Sequence, residues 1–190
     1  MENLLEMQKN VKAITRKHEN NLIKLNIEVF RSIEGYKSYA ISSFGRVKNV
    51  ITGKILKARN GKYGYLRVNL YEYRVMKTHQ VHRLVANAFI DNPDDKLCVD
   101  HKNNDKTNNH ISNLRFATNK ENQQNSKLSI KNTSGAKGVT FGKNRWRASI
   151  VIDGIKIHIG YYDNLEDAKL ARVKRANDAF GVYTNACEKL

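Results

Sequence analysis

The sequence predicts an α+β chain assembled from small modules rather than one large core. Only 40% of its 190 residues are hydrophobic, too few to fill a single sizeable interior. Glycines at 35, 45, 53, 61 and 64 punctuate short alternating runs, the pattern of small antiparallel strands and turns. Helical spacing is confined to separate stretches near the N-terminus, around Val85, after Thr118 and near the C-terminus.

Charge narrows the partners. There are 34 Lys and Arg against 18 Asp and Glu, a net +16 with a pI near 9.9, so the chain is expected to sit on a polyanion. The cations are spread along the chain and no apolar run approaches transmembrane length, which favours nucleic acid over a membrane. Cys98 and Cys187 lack a CxxC companion and cannot build a structural zinc site; Cys98 reads as a small core residue. Met1-Glu2-Asn3 opens no secretory signal, so an intracellular, cytoplasmic location is expected.

Residues 1–25 place Leu4, Met7, Val11, Ile14, His18, Asn21 and Leu25 at spacings of three and four, the stripe of an amphipathic helix. His18 and Asn21 interrupt it. It therefore reads as a helix docked on its own protein, with a monomer on the polyanion as the expected state and a dimer seam as the alternative.

Residues 26–80 read as a basic β-rich module. Between Arg46 and Arg83 stand ten Lys or Arg and one acid, Glu72, an asymmetry too strong for a neutral surface. Arg46, Lys48 and Arg67 are candidate contacts to a phosphate backbone. Leu66, Val68 and Leu70 alternate with Tyr65, Arg67 and Asn69, as a half-buried strand requires. Tyr63, Tyr65, Tyr71 and Tyr73 read equally as backbone contacts or as cover for the sheet.

Residues 81–130 hold the chemistry. Val81, Val85, Ala88 and Phe89 follow helical spacing until Asp91-Asn92-Pro93-Asp94, and His82 starts that helix and packs there. Leu97–Val99 reads as a brief buried strand leading into Asp100 and His101. The segment 102–112 is a polar loop rich in Asn, Asp and Thr, in which His110 reads as solvated or facing a phosphate. Leu114–Ala117 is a second strand, and Thr118 with Glu121 forms a capping box that opens a helix continuing through 123–127. Asn122 lies on its first turns. A carboxylate, an imidazole and an amide oxygen can then share one small site, a set suited to phosphodiester hydrolysis. A hard cation such as Mg²⁺ takes oxygen ligands and keeps several waters, and a neutral His beside it can accept a proton from an attacking water. A calcium loop fails, because positions three, six and twelve from Asp100 are Lys102, Asp105 and Ile111.

Residues 131–190 open with a linker over 131–135 and continue as three strands, 137–141, 145–152 and 156–162, with a hairpin turn at Asp153-Gly154. Asn164 caps a final helix, Gly181 ends it, and Leu165, Ala168, Ala171, Ala176, Ala179 and Phe180 supply its apolar contacts. Trp146, Ala148, Ile150, Ile152, Ile157 and Ile159 face that helix. Arg145, Arg147, Ser149, Lys156 and His158 are left on the open face, with Lys143 in the preceding turn, as candidate DNA contacts.

The run from His82-Arg83-Leu84-Val85 through Val99-Asp100-His101, Asn108-Asn109, Asn113-Leu114-Arg115 and Glu121-Asn122 resembles the HNH endonucleases of the ββα-metal (His-Me finger) fold, in their phage and intron-encoded homing form. The resemblance implies a sequence-recognising DNA endonuclease with His101 as general base, Asn113 orienting the imidazole, Asp100 and Asn122 holding one Mg²⁺ or Mn²⁺, and Arg115 on DNA. Many members have His where this chain has Asn122. It also implies double-stranded DNA as partner, docking of the nuclease unit at the minor groove, and a phage-encoded or bacterial setting. Residues 33–49, with Ile33-Glu34-Gly35-Tyr36 and Phe44-Gly45-Arg46-Val47, look like a NUMOD4 module; Phe30 replaces its usual Trp. Residues 134–181, with Arg145-Trp146, Ile159-Gly160-Tyr161 and Leu165-Glu166-Asp167-Ala168, look like an AP2 DNA-binding domain. A catalytically inactive DNA-binding regulator and an RNA-binding protein are the alternatives.

Overall fold

The computed structural model describes residues 2–188; within them, the side chains of residues 2–5 and 186, Leu4 of the predicted stripe included, lie outside the description. The architecture is α+β, with small antiparallel sheets and short helices. The chain divides into two compact units, one comprising residues up to Pro93 with Lys106–Arg115, the other Asp94–Asp105 with Phe116 onward.

The first unit opens with α1 (Glu2–Lys24) and holds two three-stranded sheets. One is β1 (Phe30–Ile33), β2 (Tyr36–Ser42) and β3 (Val47–Asn49); the other is β4 (Arg59–Asn60), β5 (Leu66–Glu72) and β6 (Val75–Gln80), followed by α2 (Val81–Phe89). The predicted alternation of β5 is met, Val68 and Leu70 being buried, and they join Ile41, Val47, Val81 and Val85 as core residues. Tyr73 and Arg74 take positive φ at the β5–β6 turn, the left-handed backbone that tight hairpins demand. Tyr65 covers buried His82, their rings 4.8 Å apart, while Tyr63, Tyr71 and Tyr73 stay exposed.

The expectation of a docked N-terminal stripe is corrected. Met7, Val11, Ile14 and Leu25 are exposed, and α1 is instead fastened by polar side chains. Arg16 reaches Asp91 at 2.6 Å, and Glu19 pairs with Arg31, which also donates to the Ala88 carbonyl at 2.7 Å and lies over the Phe89 ring.

The second unit contains β7 (Cys98–His101) and α3 (Asn119–Gln124); β7 pairs with β8 (Leu114–Ala117), which belongs to the second unit from Phe116 onward. Leu97 lies just outside β7 and is exposed, contrary to the strand expected at 97–99. The helix after Thr118 stops at Gln124 rather than running to Lys127, because Asn125 turns inward to bond the β7 backbone. Strands β9 (Val139–Gly142), β10 (Arg145–Ile152) and β11 (Ile155–Tyr162) form an antiparallel sheet in the order β11-β10-β9, backed by α4 (Leu165–Phe180). Val139, Ala148 and Ala168 centre its core, with Trp146, Ile159, Tyr162 and Leu165 packed around them. The segment 131–135 is folded against this sheet rather than loose, since buried Ser134 donates to the Val139 carbonyl at 2.7 Å.

Candidate active site and nucleic-acid surface

The site grows from the short strand β7. Val99, Asp100 and His101 are all buried, and Asp100 and His101 are each only 4% exposed. A carboxylate so enclosed loses its water and requires hydrogen-bond donors in exchange. One donor is Asn125, itself fully buried. Its Nδ2 lies 3.0 Å from both carboxylate oxygens of Asp100 and 2.9 Å from the His101 carbonyl oxygen. A carboxylate only accepts, so the nitrogen end of the amide must face it.

Helix α3 supplies the opposing wall. Thr118 Oγ1 accepts from the Glu121 amide at 3.2 Å, and the Glu121 carboxylate accepts from the Thr118 amide at 2.6 Å, which completes the predicted capping box. Glu121 also takes a hydrogen bond from Lys96 at 3.0 Å, and the hydrogen bonds that Lys96 donates to Glu121 and Tyr183 raise its pKa. Asn122, the predicted second ligand, is half-buried on α3, and its side-chain amide makes no hydrogen bond among the described residues. A side chain that does bond Asp100 is Asn125, one turn further on. Sequence reading passed over Asn125 as part of a polar run, although its spacing of three from Asn122 puts both on one helix face.

Asn113 and the polar loop from Lys106 onward belong to the first unit. Asn113 is buried in a 3₁₀ turn (Ile111–Asn113), where its Nδ2 donates to the Asn108 carbonyl at 2.8 Å and fixes the loop's curvature. His110 does not stand in solvent: it caps that turn, its Nδ1 accepting from the Ser112 amide at 3.2 Å, and stacks on Phe44 with centroids 4.8 Å apart. Buried Asn109 packs so closely on the β2–β3 turn that a Cβ at Gly45 would lie 2.8 Å from its Cβ; the φ of +85° there also demands glycine.

Asp100 and the Asn122 amide provide oxygen donors, and no group of three or more His, Cys, Asp or Glu among the described residues could cage a metal. Oxygen donors of this type suit a hard divalent cation that completes its shell with water or phosphate oxygens.

Several of the predicted basic contacts are already engaged within the protein. Arg46 is paired with Glu28 and Arg145 with Asp163, while Lys48 lies over the Phe30 ring. The Nε atoms of Arg67 and Arg147 are buried without a hydrogen-bond partner among the described residues. Arg115 is half-buried, and Lys143 is exposed in a turn at φ +53°. On the C-terminal sheet, register puts Arg147 opposite Tyr161 and Ser149 opposite His158, so Arg147, Ser149, Lys156, His158 and Tyr161 line one groove of about 320 Å³. Ser149 shares that face as expected but is largely buried, its hydroxyl donating to the Gly138 carbonyl at 3.3 Å. Arg147 and Lys156 also line a larger groove of about 730 Å³ with Lys120, Gln123 and Lys137, which carries the positive surface from the sheet to α3.

The profile of the family described as "NUMOD4 motif" matches residues 28–71, and that described as "HNH endonuclease" matches residues 79–124. The chain is 40% identical over 131 residues to DNA endonuclease I-HmuI of Bacillus phage SP01, covering 67% of this chain and 75% of that protein. It is 33% identical over 123 residues to H-N-H endonuclease F-TflII of Escherichia phage T5, covering 64% of this chain and 60% of that one. It is 42% identical over 95 residues to the uncharacterized HNH endonuclease L247 of Acanthamoeba polyphaga mimivirus, spanning 24% of that longer protein. A solved structure of I-HmuI, described as DNA binding and cleavage by the HNH homing endonuclease, superposes with a TM-score of 0.50 at 33% identity, covering 80% of this chain and 83% of that one.

Proposed function

The chain belongs to the HNH endonuclease family that includes the homing endonuclease I-HmuI, and from that premise we propose how its own residues cut DNA. It is a sequence-specific DNA endonuclease that hydrolyses phosphodiester bonds with the help of a divalent metal. His101, beside Asp100 at the end of β7, takes the proton from the water that attacks phosphorus, with Asn113 orienting its ring. Asp100 and Asn122 would hold a single ion, Mg²⁺ or Mn²⁺, and such an ion would supply positive charge against the charge growing on the phosphate and the leaving 3′ oxygen. Departure of that oxygen leaves 5′-phosphate and 3′-hydroxyl ends.

The observation that carries this reading is the buried Asp100-His101 pair, held through hydrogen bonds rather than exposed on a loop. Enclosure of that kind is costly for a carboxylate in a merely structural turn. The test is nicking of supercoiled plasmid in Mg²⁺. His101→Ala is expected to abolish nicking and leave the gel-shift affinity for duplex DNA within about twofold, since general-base catalysis is worth roughly 10²–10⁴ in rate. A variant that nicks like the parent overturns the assignment.

The finer partner reading concerns the last sixty residues. A three-stranded antiparallel sheet backed by one helix, with Arg147, Lys156 and His158 on its free face, supports an AP2-type module in the major groove. Lys143, Arg145, Arg67, Lys48, Arg46 and Arg115 add backbone contacts. The protein acts inside a cell and as a monomer on DNA. The exposed stripe of α1 is the surface through which two copies would pair, so sedimentation of the free protein at micromolar concentration separates monomer from dimer.

A further inference from the structure

We propose that Asn125 and Asn185 are positioning residues for the Asp100 carboxylate, so that the segment after α4 helps to hold the cation site in shape. This rests on the reading of Asp100 as a metal ligand. Two buried asparagines lie in series behind that carboxylate. Asn125 contacts Asp100 and the His101 carbonyl, as described above. Asn185, 4% exposed, places its Nδ2 2.5 Å from the Asn125 carbonyl, 3.0 Å from the Ser126 carbonyl and 3.3 Å from Asn125 Oδ1. Its own Oδ1 accepts from the Cys187 amide at 3.0 Å, so both ends of this amide are engaged.

The tail that delivers Asn185 is itself fixed by buried polar contacts. Thr184 Oγ1 donates to the Ala176 carbonyl of α4 at 3.2 Å, and Tyr183 donates to the Phe116 carbonyl of β8 at 3.1 Å. Glu188, almost fully buried, is ion-paired with Arg172 of α4 at 2.9 Å.

Tail packing alone would be met by an apolar residue at 185 beside carbonyls that α3 already ends on. A donor that satisfies the α3 C-terminus fixes where Asn125 stands, and Asn125 in turn fixes the rotation of the carboxylate. A neutral amide does this without cancelling the negative charge a cation needs, whereas a Lys or Arg would compete for it. Hydrogen-bond partners that orient a metal ligand in this way usually change metal affinity by roughly 10- to 100-fold.

Mn²⁺ binding to the full-length protein, read from loss of the free-ion electron paramagnetic resonance signal, tests the relay independently of turnover. Asn125→Ala is expected to weaken Mn²⁺ binding about tenfold or more, and Asn185→Ala about threefold to tenfold. Both raise the Mg²⁺ concentration for half-maximal nicking by matching factors, with the rate at saturating Mg²⁺ and the gel-shift affinity close to the parent's. If Asn125→Ala does not melt cooperatively, Asn185→Ala and Asn125→Ser decide. Folded asparagine variants that bind Mn²⁺ like the parent, while Asp100→Ala loses it, overturn the relay alone. Unchanged Mn²⁺ affinity in Asp100→Ala overturns the ligand reading beneath it.

Discussion

Strands β7 and β10 belong to one unit yet treat charge in opposite ways. β7 buries Asp100 and spends an amide of α3 on holding it. β10 and its neighbour β11 turn Arg147, Lys156 and His158 toward an open groove. The difference follows from what each must do. A group that handles a reacting phosphate needs one fixed orientation, and hydrogen bonds inside a low-dielectric pocket provide it. A group that holds a duplex needs reach and full charge, because affinity for the backbone comes from releasing counterions.

The sharpest way to break this comparison is to exchange the two kinds of loss. Asp100→Ala is expected to lower nicking by about 10³-fold or more, close to 4 kcal/mol of transition-state stabilisation, with duplex affinity nearly intact. Arg147→Ala and Lys156→Ala are expected to do the reverse: each weakens binding by about 1 kcal/mol and lowers the salt slope by about one, with unchanged cleavage at saturating DNA. Gel shifts across a salt series, paired with single-turnover nicking, measure both. If the Asp100 variant loses binding and the cationic variants lose chemistry, the two strands do not divide the work as described.

A backbone constraint lies between these in size. Gly138 sits at φ +64° beside Ser149, and a Cβ there would come 2.1 Å from the Ser149 carbonyl oxygen. The β9–β10 pairing cannot yield that space, so Gly138→Ala is expected to destabilise the unit by about 3 kcal/mol, combining positive-φ strain with the clash. Denaturant unfolding reads the loss. It sharpens the comparison if binding falls in proportion to the unfolded fraction while the folded remainder cuts at the parent's rate.

Much of this was legible in the sequence because it is local. The capping box at Thr118 and Glu121, the Asp153-Gly154 turn, the Asn164 cap and the alternation of β5 each depend on residues a few positions apart. The Asp100-His101 pair stood out by type and spacing. What was hidden depends on distant residues. Asn185 meets Asn125 across 60 positions of sequence, and Glu188 meets Arg172 only because the tail folds back along α4. The stripe of α1 misled for the same reason: periodicity reports a helix face, not whether anything covers it, and here Arg16, Glu19 and Arg31 make the attachment. The bulge at Ile159 of β11 likewise breaks simple alternation: it brings Tyr161 onto the face that carries Lys156 and His158.

The smallest effect concerns a group intermediate between the hidden and displayed extremes. His79 on β6 is half-buried, with Nε2 2.8 Å from the hydroxyl of buried Tyr36 and the two rings edge to face at 4.9 Å. Burial, reinforced by the Lys77 charge, holds its pKa below the ordinary 6.5. A depressed folded-state pKa means that protonation favours the unfolded chain. The contribution is therefore fully present above about pH 6.5 and drains away as pH falls through the folded value. Because the ring is partly solvated, the loss is on the order of a few tenths of a kcal/mol. Thermal melts between pH 7.5 and 5 should show a slightly steeper decline for the parent than for His79→Gln, which keeps a polar partner for Tyr36 without a titrating proton. Parallel curves would mean that the His79 ring takes up its proton equally well in the folded and the unfolded chain, and would overturn this assignment.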